Sequence, residues 1–315
     1  MLEVSGVYDG SPSGQVDTLD LVVVGAASRD VTPDDTRGWR LGGPVAYCAL
    51  AAARLGLRVG CVIGVDGPAA DATELGLLKD AGVLLHRVPL QHGPVFENIE
   101  RDGHRRQRWL SKSDPVPVAA LPDEWRRTRG WLLGTVAGEL GGEWADVAGA
   151  REDACVAVGW QGLLREFAED GWVERVDPAP SALLGAAGLV CASADDFAPG
   201  VGIDRFRAFA PRATILLTAG DRGGLALSGS HVHRYPAIPS RALVDPTGAG
   251  DVFLAALMAV LLLHGEMATG RALRFGAAAG SCAVEGAGLG GVPTLAQVVA
   301  RLKGSGATGT DDRGA

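Results

Sequence analysis

The chain has 315 residues, of which 47% are apolar, and a net charge of −8 from 29 Lys and Arg against 37 Asp and Glu. That length and apolar fraction suggest one large α/β domain or two smaller ones, and they exclude a disordered protein. The acidic balance argues against a general nucleic-acid binder.

The first predicted element is a polar arm. Residues 1–18 are rich in Gly and Ser, and we expect them to be flexible. The β-branched run Leu19–Gly25 then predicts a buried strand. The next predicted elements are a helix at Val45–Leu55, a strand at Arg58–Ile63 and a helix at Ala70–Ala81.

A very polar hairpin follows in the sequence. Val95–Ile99 and Arg105–Leu110 flank the turn signal Asp102-Gly103. At most one face of such a hairpin packs against the protein. Two readings stay open here, a lid over a pocket and a simple surface excursion.

The second half of the chain alternates strand-like and helical segments. This alternation predicts a doubly wound, mainly parallel sheet flanked by helices. The predicted strands are Gly130–Leu133, Cys155–Val158, Leu189–Cys191 and Thr214–Leu217, followed by a hairpin of Ala226–Ser228 and His231–Tyr235. The predicted helices after that hairpin are Gly250–His264, Thr269–Val284 and Leu295–Leu302, and we expect residues 303–315 to be disordered.

The segment Asp245–Asp251, which reads Asp-Pro-Thr-Gly-Ala-Gly-Asp, opens the long apolar helix. The start of a helix offers unpaired N–H groups and a partial positive charge. Gly248, Ala249 and Gly250 carry almost no side chain that would keep an anion from those groups, and Asp251 places a carboxylate beside it. An anion cradle with an adjacent base suits phosphoryl transfer to an alcohol.

Other site types find little support in the sequence. The sequence has no Gly-x4-Gly-Lys-Ser/Thr motif, and its histidines show no metal spacing apart from His231 and His233, which we expect on a solvated strand face. The five cysteines form no Cys-x-x-Cys pair and are expected to be reduced. The longest apolar run, Val252–Leu263, is too short to span a bilayer, and no leader pattern opens the chain, so we expect a cytoplasmic protein.

Two segments together resemble the signatures of the ribokinase-like (PfkB-type) carbohydrate kinases. The first is Gly42–Leu50, which begins Gly-Gly-Pro, and the second is Asp245–Asp251. Val22–Gly25 with the following Asp30, and Thr218–Gly224, are also similar to that family. Their order and spacing agree over residues 20–302, so the resemblance implies one kinase domain at 19–302 with a small β lid at about 31–41 and 94–110.

The resemblance also implies roles for single residues. Asp251 would take the proton of the acceptor hydroxyl, and it is expected to stay ionised at neutral pH. The other implied sets are the phosphoryl cradle of Gly248, Ala249 and Gly250; the acceptor contacts Asp30, Gly42, Gly43 and Asn98; and the ATP contacts Thr218, Gly220, Gly223 and Thr247.

Two places depart from the family pattern. Where the family often carries Asn-x-x-Glu, this chain reads Ser193-Ala194-Asp195-Asp196, so Asp196 is the residue expected to serve Mg²⁺. Tyr47 stands where sugar kinases often carry Asn, and it would either reshape the sugar pocket or simply pack in the core.

These features predict an ATP-dependent and Mg²⁺-dependent kinase that phosphorylates a sugar or sugar-like small molecule. A nucleoside kinase and a catalytically weak nucleotide or metabolite sensor of the same fold remain alternatives. The substrates expected are a small molecule and ATP, with neither nucleic acid nor membrane as a partner. Activation by a monovalent cation and a homodimer formed through the lid stay open.

Overall fold

The computed structural model describes residues 7–8, 18–101, 104–197, 203–265 and 269–305. Its strands, in chain order, are β1 (Val7–Tyr8), β2 (Leu21–Ala26), β3 (Ser28–Val31), β4 (Trp39–Gly42), β5 (Val59–Val65), β6 (Leu84–Pro89), β7 (Val95–Arg101), β8 (His104–Ser111), β9 (Gly130–Gly134), β10 (Cys155–Gly159), β11 (Arg165–Phe167), β12 (Val173–Arg175), β13 (Leu189–Ser193), β14 (Thr214–Thr218), β15 (Gly224–Ser228) and β16 (His231–Tyr235). Its α-helices are α1 (Pro44–Arg54), α2 (Gly67–Ala70), α3 (Glu74–Asp80), α4 (Glu143–Ala148), α5 (Ala182–Ala186), α6 (Ile203–Phe209), α7 (Ala249–His264), α8 (Gly270–Ala283) and α9 (Leu295–Ser305).

A ten-stranded sheet forms the centre of the protein, in the order β1-β6-β5-β2-β9-β10-β13-β14-β15-β16. The seven strands from β6 to β14 pair in parallel, whereas β1, β15 and β16 are antiparallel. The chain winds outward from β2 in one direction and from β9 in the other. The doubly wound, mainly parallel sheet predicted from the sequence is thus confirmed, and its winding reverses between β2 and β9.

Both faces of the sheet are buried. Leu21 and Val23 of β2 belong to a core shared with α1, α7 and α8. Val22 and Val24 point to the opposite core, which contains four fully buried tryptophans. Because successive side chains of a strand alternate between faces, a continuous apolar run such as β2 serves two cores at once.

A second sheet of four strands, in the order β4-β3-β7-β8, lies beside the large one. It is anchored to the large domain through charged side chains. Arg29 of β3 donates to Asp66 at 2.6 Å, and Arg37 donates to Glu74 at 2.6 and 2.9 Å. The predicted lid segments therefore form this small sheet, whose β3–β4 part is held by α3.

Helix α7 packs between α1 and α8. Its residues Val252–Ala259 are all buried, which explains a sequence that is apolar on every side. Its neighbours bury this middle part of the helix, whereas Gly250 and Asp251 in its first turn line a cleft.

Three details differ from the sequence predictions. The helix predicted at Ala70–Ala81 is two helices, α2 and α3, because the polar residues between them favour caps and turns. In the predicted N-terminal arm, Val7–Tyr8 forms the edge strand β1, which pairs with β6, and the rest of residues 1–17 lies outside the described residues. Helix α9 continues to Ser305, and the remainder of the predicted tail is not described.

Candidate active site

A cleft with a volume of about 1910 Å³ runs along the carboxyl ends of the parallel strands. The loops that follow β2, β9, β10, β13 and β14 form its floor, and the small sheet forms one wall. Ligands of open α/β sheets bind at this edge, close to the strands where the winding reverses. The position alone makes the cleft the candidate active site.

The cleft brings together almost all the site residues expected from the sequence. The expected residues that line it are Asp30, Gly43, Asn98, Asp196, Thr218, Gly220, Gly223, Thr247, Gly248, Ala249, Gly250 and Asp251. Gly42 is expected to touch the acceptor but does not line the cleft in this structure. Its Cα lies beneath the Asp30 carboxylate instead, since a Cβ there would be 2.5 Å from Asp30 Oδ2.

The first turn of α7 is held open by a glycine in a left-handed conformation. Gly248 caps the helix with φ 77° and ψ −1°. The Ala249 N–H donates to Pro246 O at 3.3 Å, so this expected phosphoryl donor is engaged within the turn. Among the described residues, the N–H groups of Gly250 and Asp251 have no such acceptor, and nothing lies within 4 Å of a Cβ built on Gly250. Together with the Gly248 N–H, which also has no such acceptor among the described residues, they are the open donors at the start of the helix.

Asp245 fixes the loop that leads into this turn. Its Oδ1 accepts from the Thr247 N–H at 2.9 Å, and its Oδ2 accepts from the Gly288 N–H at 3.0 Å. The backbone of Asp245 is itself tied to Val284 O at 3.2 Å. One carboxylate therefore joins the loop before α7 to the loop after α8.

Asp251 lies half-buried at the start of α7. Burial and the negative charge of Asp196 raise its pKa to about 7, while the positive charge of Arg165 opposes the rise. The sequence-based expectation was a carboxylate that is fully ionised at neutral pH, and the raised pKa points the other way for the unliganded protein. A pKa near 7 is well placed for a group that exchanges a proton during a reaction.

Tyr47 both packs in the core and faces the cleft. Its side chain is 3% exposed, and its ring lies against the Cα of Gly248. Burial, together with the negative charges of Asp30, Asp245 and Asp251, raises the pKa of Tyr47. The hydroxyl stays protonated beside three carboxylates, so it can donate a hydrogen bond but not carry a charge. The sequence left two alternatives for Tyr47, packing in the core and reshaping the pocket. The side chain is buried and also lines the cleft, which agrees with both.

The small sheet provides polar groups on the opposite side of the cleft. Ser28 Oγ donates to Asp30 Oδ1 at 3.1 Å, which orients that carboxylate. Gln107 Nε2 donates to Asn98 Oδ1 at 3.0 Å, and both side chains line the cleft. Carboxylate and amide groups in this arrangement can bind the hydroxyls of a small polar molecule.

The far end of the cleft is built from a glycine turn and apolar side chains. Gly220 and Gly223 have φ values of 57° and 80°, in the turn that follows Thr218 of β14. Leu243, which is 72% exposed, and Ala277 form part of the same end. An open apolar wall next to a glycine turn suits a flat, partly apolar ligand.

Asp196 is held by its own neighbours. Its Oδ2 accepts from the Ser193 N–H at 2.9 Å, and its Oδ1 accepts from Gln161 Nε2 at 3.2 Å. Arg165 Nη2 lies 3.9 Å from the same Oδ1. No cluster of three or more His, Cys, Asp or Glu suited to a metal ion occurs in the described part of the chain. The donors present fit a Mg²⁺ ion held mainly by phosphate and water, with Asp196 as one of the carboxylates that line the cleft.

Sequence reasoning missed two charged residues at this edge. Arg165 begins the β11–β12 hairpin, for which the turn signal Asp170-Gly171 was present but was not interpreted. Glu139 is 1% exposed and accepts N–H bonds from Ala26, Val136 and Ala137 at 2.8 to 3.4 Å. No sequence pattern indicates a buried acid of this kind.

One family profile and two known relatives match the sequence of this chain. The pfkB family carbohydrate kinase profile matches residues 180–295. An inositol 3-kinase of Oryza sativa subsp. japonica is 33% identical over 299 residues, which cover 88% of this chain and 72% of the rice protein. An inositol 3-kinase of Zea mays is 38% identical over 185 residues, and that match spans 45% of the maize protein.

Solved structures agree on the fold. A sulfate complex of a pyrophosphate-dependent kinase in the ribokinase family has a TM-score of 0.70 at 17% identity, over 89% of this chain and 99% of that one. The ribokinase of Arabidopsis thaliana, solved with ribose and ATP, has a TM-score of 0.65 at 18% identity, over 91% and 99%. Among the helices of the described ranges, none has the length and hydropathy to cross a membrane.

With a relative that is 33% identical over most of both chains, this chain belongs to the pfkB family of carbohydrate kinases.

Proposed function

We propose that this kinase transfers the γ-phosphate of ATP to a hydroxyl of a cyclic polyol, with myo-inositol as the first acceptor to test. The observation that carries the proposal is the position of Asp251. It lies at the α7 N-terminus, where the polar wall formed by the small sheet meets the glycine-rich end of the cleft. The inositol 3-kinases of rice and maize support the choice of acceptor class.

In the proposed reaction, the acceptor hydroxyl donates its proton to the Asp251 carboxylate. Its oxygen forms a bond to the γ-phosphorus, and the bond from that phosphorus to the β,γ-bridging oxygen breaks, so that ADP leaves. The N–H groups of Gly250 and Asp251 stabilise the transferring group, since both lack an acceptor among the described residues. Asp30, Gly43 and Asn98 hold the acceptor ring, and Gly42 supports Asp30 from below.

The donor lies along the glycine turn in this proposal. Thr218, Gly220, Gly223 and Thr247 contact ATP, and the open wall at Leu243 takes the adenine. Mg²⁺ would neutralise phosphate charge when bound, with Asp196 reaching it mainly through water. Arg165 beside Asp196 keeps the protein's own negative charge at that point small.

A coupled assay for ADP release tests the proposal. The purified protein is incubated with Mg²⁺, ATP and each member of an acceptor panel: inositol isomers, ribose, fructose and adenosine. In a parallel series pyrophosphate replaces ATP and released orthophosphate is measured instead of ADP, because several structures with the same fold are those of pyrophosphate-dependent kinases. Turnover with ATP and an inositol supports the proposal, and turnover with adenosine alone would favour a nucleoside kinase.

Binding without turnover would favour the sensor alternative. The test is a thermal-shift measurement with ATP and Mg²⁺ on the same samples. Stabilisation by ATP in the absence of turnover on every acceptor contradicts the proposed reaction. The Asp251→Asn variant serves as the negative control, because it keeps the side-chain volume but cannot accept the proton.

A further inference from the structure

The cleft is short of lysine. The sequence contains only Lys79, Lys112 and Lys303, and none of them lines the cleft. The cations that do line it are Arg106, Arg165, Arg175 and Arg222. Because a transferring phosphoryl group carries negative charge on its equatorial oxygens, a guanidinium group is the side chain here that can offset it.

Among these arginines, Arg165 lies closest to the reacting end of the cleft. Its side chain is only 15% exposed, and its Nη2 is 3.9 Å from Asp196 Oδ1. Its positive charge also opposes the rise in the pKa of Asp251. The guanidinium group thus acts on Asp196, which follows β13, and on Asp251, which lies in the first turn of α7.

The hairpin that begins with Arg165 is fixed to the small sheet. The Trp109 N–H of β8 donates to Gly171 O at 3.0 Å, and Trp109 Nε1 donates to Ala168 O at 3.0 Å. Phe167 packs edge-on against the Trp109 ring, with the ring centroids 6.0 Å apart. The Arg106 guanidinium lies 3.8 Å from the centre of the Trp172 ring. The backbone that carries Arg165 is therefore held by the wall that faces the acceptor.

We propose that Arg165 is a catalytic residue that contacts the transferring phosphoryl group, and that the β11–β12 hairpin holds it against the small sheet for that purpose. The guanidinium group stabilises the three equatorial oxygens while the bond to the acceptor oxygen forms and the bond to the leaving ADP breaks. Arg165 takes no proton, which goes to Asp251 as before. This inference rests on the phosphotransferase function proposed above.

Arg126 offers a control outside the cleft. It is exposed and does not line the cleft, and its Nε donates to Asp123 Oδ1 at 3.0 Å on the surface. In Arg165→Gln we expect kcat to fall by about 10²-fold or more, the scale of losing one transition-state donor, with KM for ATP within about threefold of wild type. Arg126→Gln should keep both constants near wild type.

A second readout does not depend on turnover. Isothermal titration measures the affinity for ADP alone and for ADP with aluminium fluoride and Mg²⁺, a mimic of the transferring group. We expect Arg165→Gln to bind ADP as the wild type does and to lose affinity for the fluoride complex by roughly the factor lost in kcat. Equal losses for both ligands, or a kcat within about threefold of wild type, would overturn the proposal.

Thermal unfolding shows whether the variant is folded. If Arg165→Gln unfolds, the same comparisons are made on Arg165→Lys, which keeps one charge but loses the planar fork. A loss in kcat of about tenfold and weaker binding of the fluoride complex are expected there, and wild-type values would overturn the proposal. If the wild-type protein turns over no acceptor, the proposed function fails, and the binding comparison still decides the role of Arg165.

Discussion

Tyr47 lies with its ring against the Cα of Gly248, so closely that a Cβ on Gly248 would be 2.5 Å from Tyr47 Cε1. Gly248 caps α7, and Tyr47 lies in the first turn of α1. The two helices whose N-termini face the cleft therefore touch through an aromatic ring and a glycine. The shape of the phosphoryl cradle depends on this contact, because any side chain at 248 must displace either the ring or the loop.

Gly248→Ala should damage both stability and turnover. A φ of 77° costs an L-residue about 1–2 kcal/mol, and overlap with a packed ring adds about 1–3 kcal/mol more. Gly265→Ala is the matched control, because Gly265 ends the same helix with φ 69° and has nothing within 4 Å of its added Cβ. Urea denaturation of both variants measures the difference.

The comparison between the two alanine variants isolates the Tyr47 contact. Gly248→Ala should lose about 1–3 kcal/mol more than Gly265→Ala, and kcat should fall only at position 248. Equal losses in stability at the two positions would show that backbone conformation alone explains the need for glycine, and that the Tyr47 ring moves without cost.

Asp251→Asn should lower turnover and raise stability at once. Loss of the positioned base should reduce kcat by about 10²-fold or more. The same change removes a buried carboxylate that lies near Asp196, so Tm at pH 8 should rise by a few degrees. Glu143→Gln, at an exposed position on α4, is the control for loss of a carboxylate at the surface. A folded Asp251→Asn protein with wild-type kcat would remove Asp251 from the reaction.

The pKa of Asp251 determines how stability and turnover should each depend on pH. The pKa of about 7 in the folded state lies above the ordinary aspartate pKa of 3.8, so the folded state binds the proton more tightly than the unfolded one. Asp251 therefore destabilises the fold increasingly as pH rises from about 4 to 7. The gain in Tm from Asp251→Asn should be larger at pH 8 than at pH 5, and a gain that does not change with pH would contradict the raised pKa.

The catalytic activity should increase with pH, whereas the contribution of Asp251 to stability becomes less favourable as pH rises. The base must be deprotonated, so kcat/KM of the wild-type enzyme should rise about tenfold per pH unit below 7 and level off above it. Stopped-time ADP assays between pH 5.5 and 8.5 measure this profile. A flat profile across pH 7 would indicate that the deprotonation of Asp251 does not limit the reaction of the free enzyme.

Glu139→Gln tests a buried support of the cleft edge. The Glu139 carboxylate accepts N–H bonds from the backbone of Ala26, Val136 and Ala137, although burial raises its pKa. An amide offers one oxygen to these donors and turns an NH₂ group toward the rest, so we expect a loss of about 2 kcal/mol or more. Urea denaturation measures it, with Glu143→Gln again as the exposed control. A loss equal to that of Glu143→Gln would show that the three N–H groups find other acceptors.

The sequence was most informative where a short pattern fixes a backbone. The β-branched run at Leu19–Gly25 and its successors predicted the parallel sheet, because strands buried on both faces are continuously apolar. The segment Asp245–Asp251 predicted the start of the long apolar helix, and its small residues made that start a candidate anion site. The strand and the helix start match the structure, whereas anion binding stays a prediction.

The sequence was least informative where distant segments meet. Arg165 reaches the cleft only because β10 and β13 are neighbours and the β11–β12 hairpin docks on β8. The proton affinity of Asp251 could not be judged either. A helix N-terminus lowers the pKa of an acid, but burial and Asp196, whose distance no motif gives, raise it more.

Phosphorus NMR of the wild-type protein with ATP, Mg²⁺ and myo-inositol, run beside Asp251→Asn, gives the sharpest test of the proposed function. We predict a new phosphomonoester signal that grows with the signals of ADP in the wild-type sample and is slower by about 10²-fold or more in the variant. Equal rates in the two samples, or loss of ATP without any phosphomonoester on an inositol or another polyol, would contradict Asp251-dependent transfer to a polyol hydroxyl.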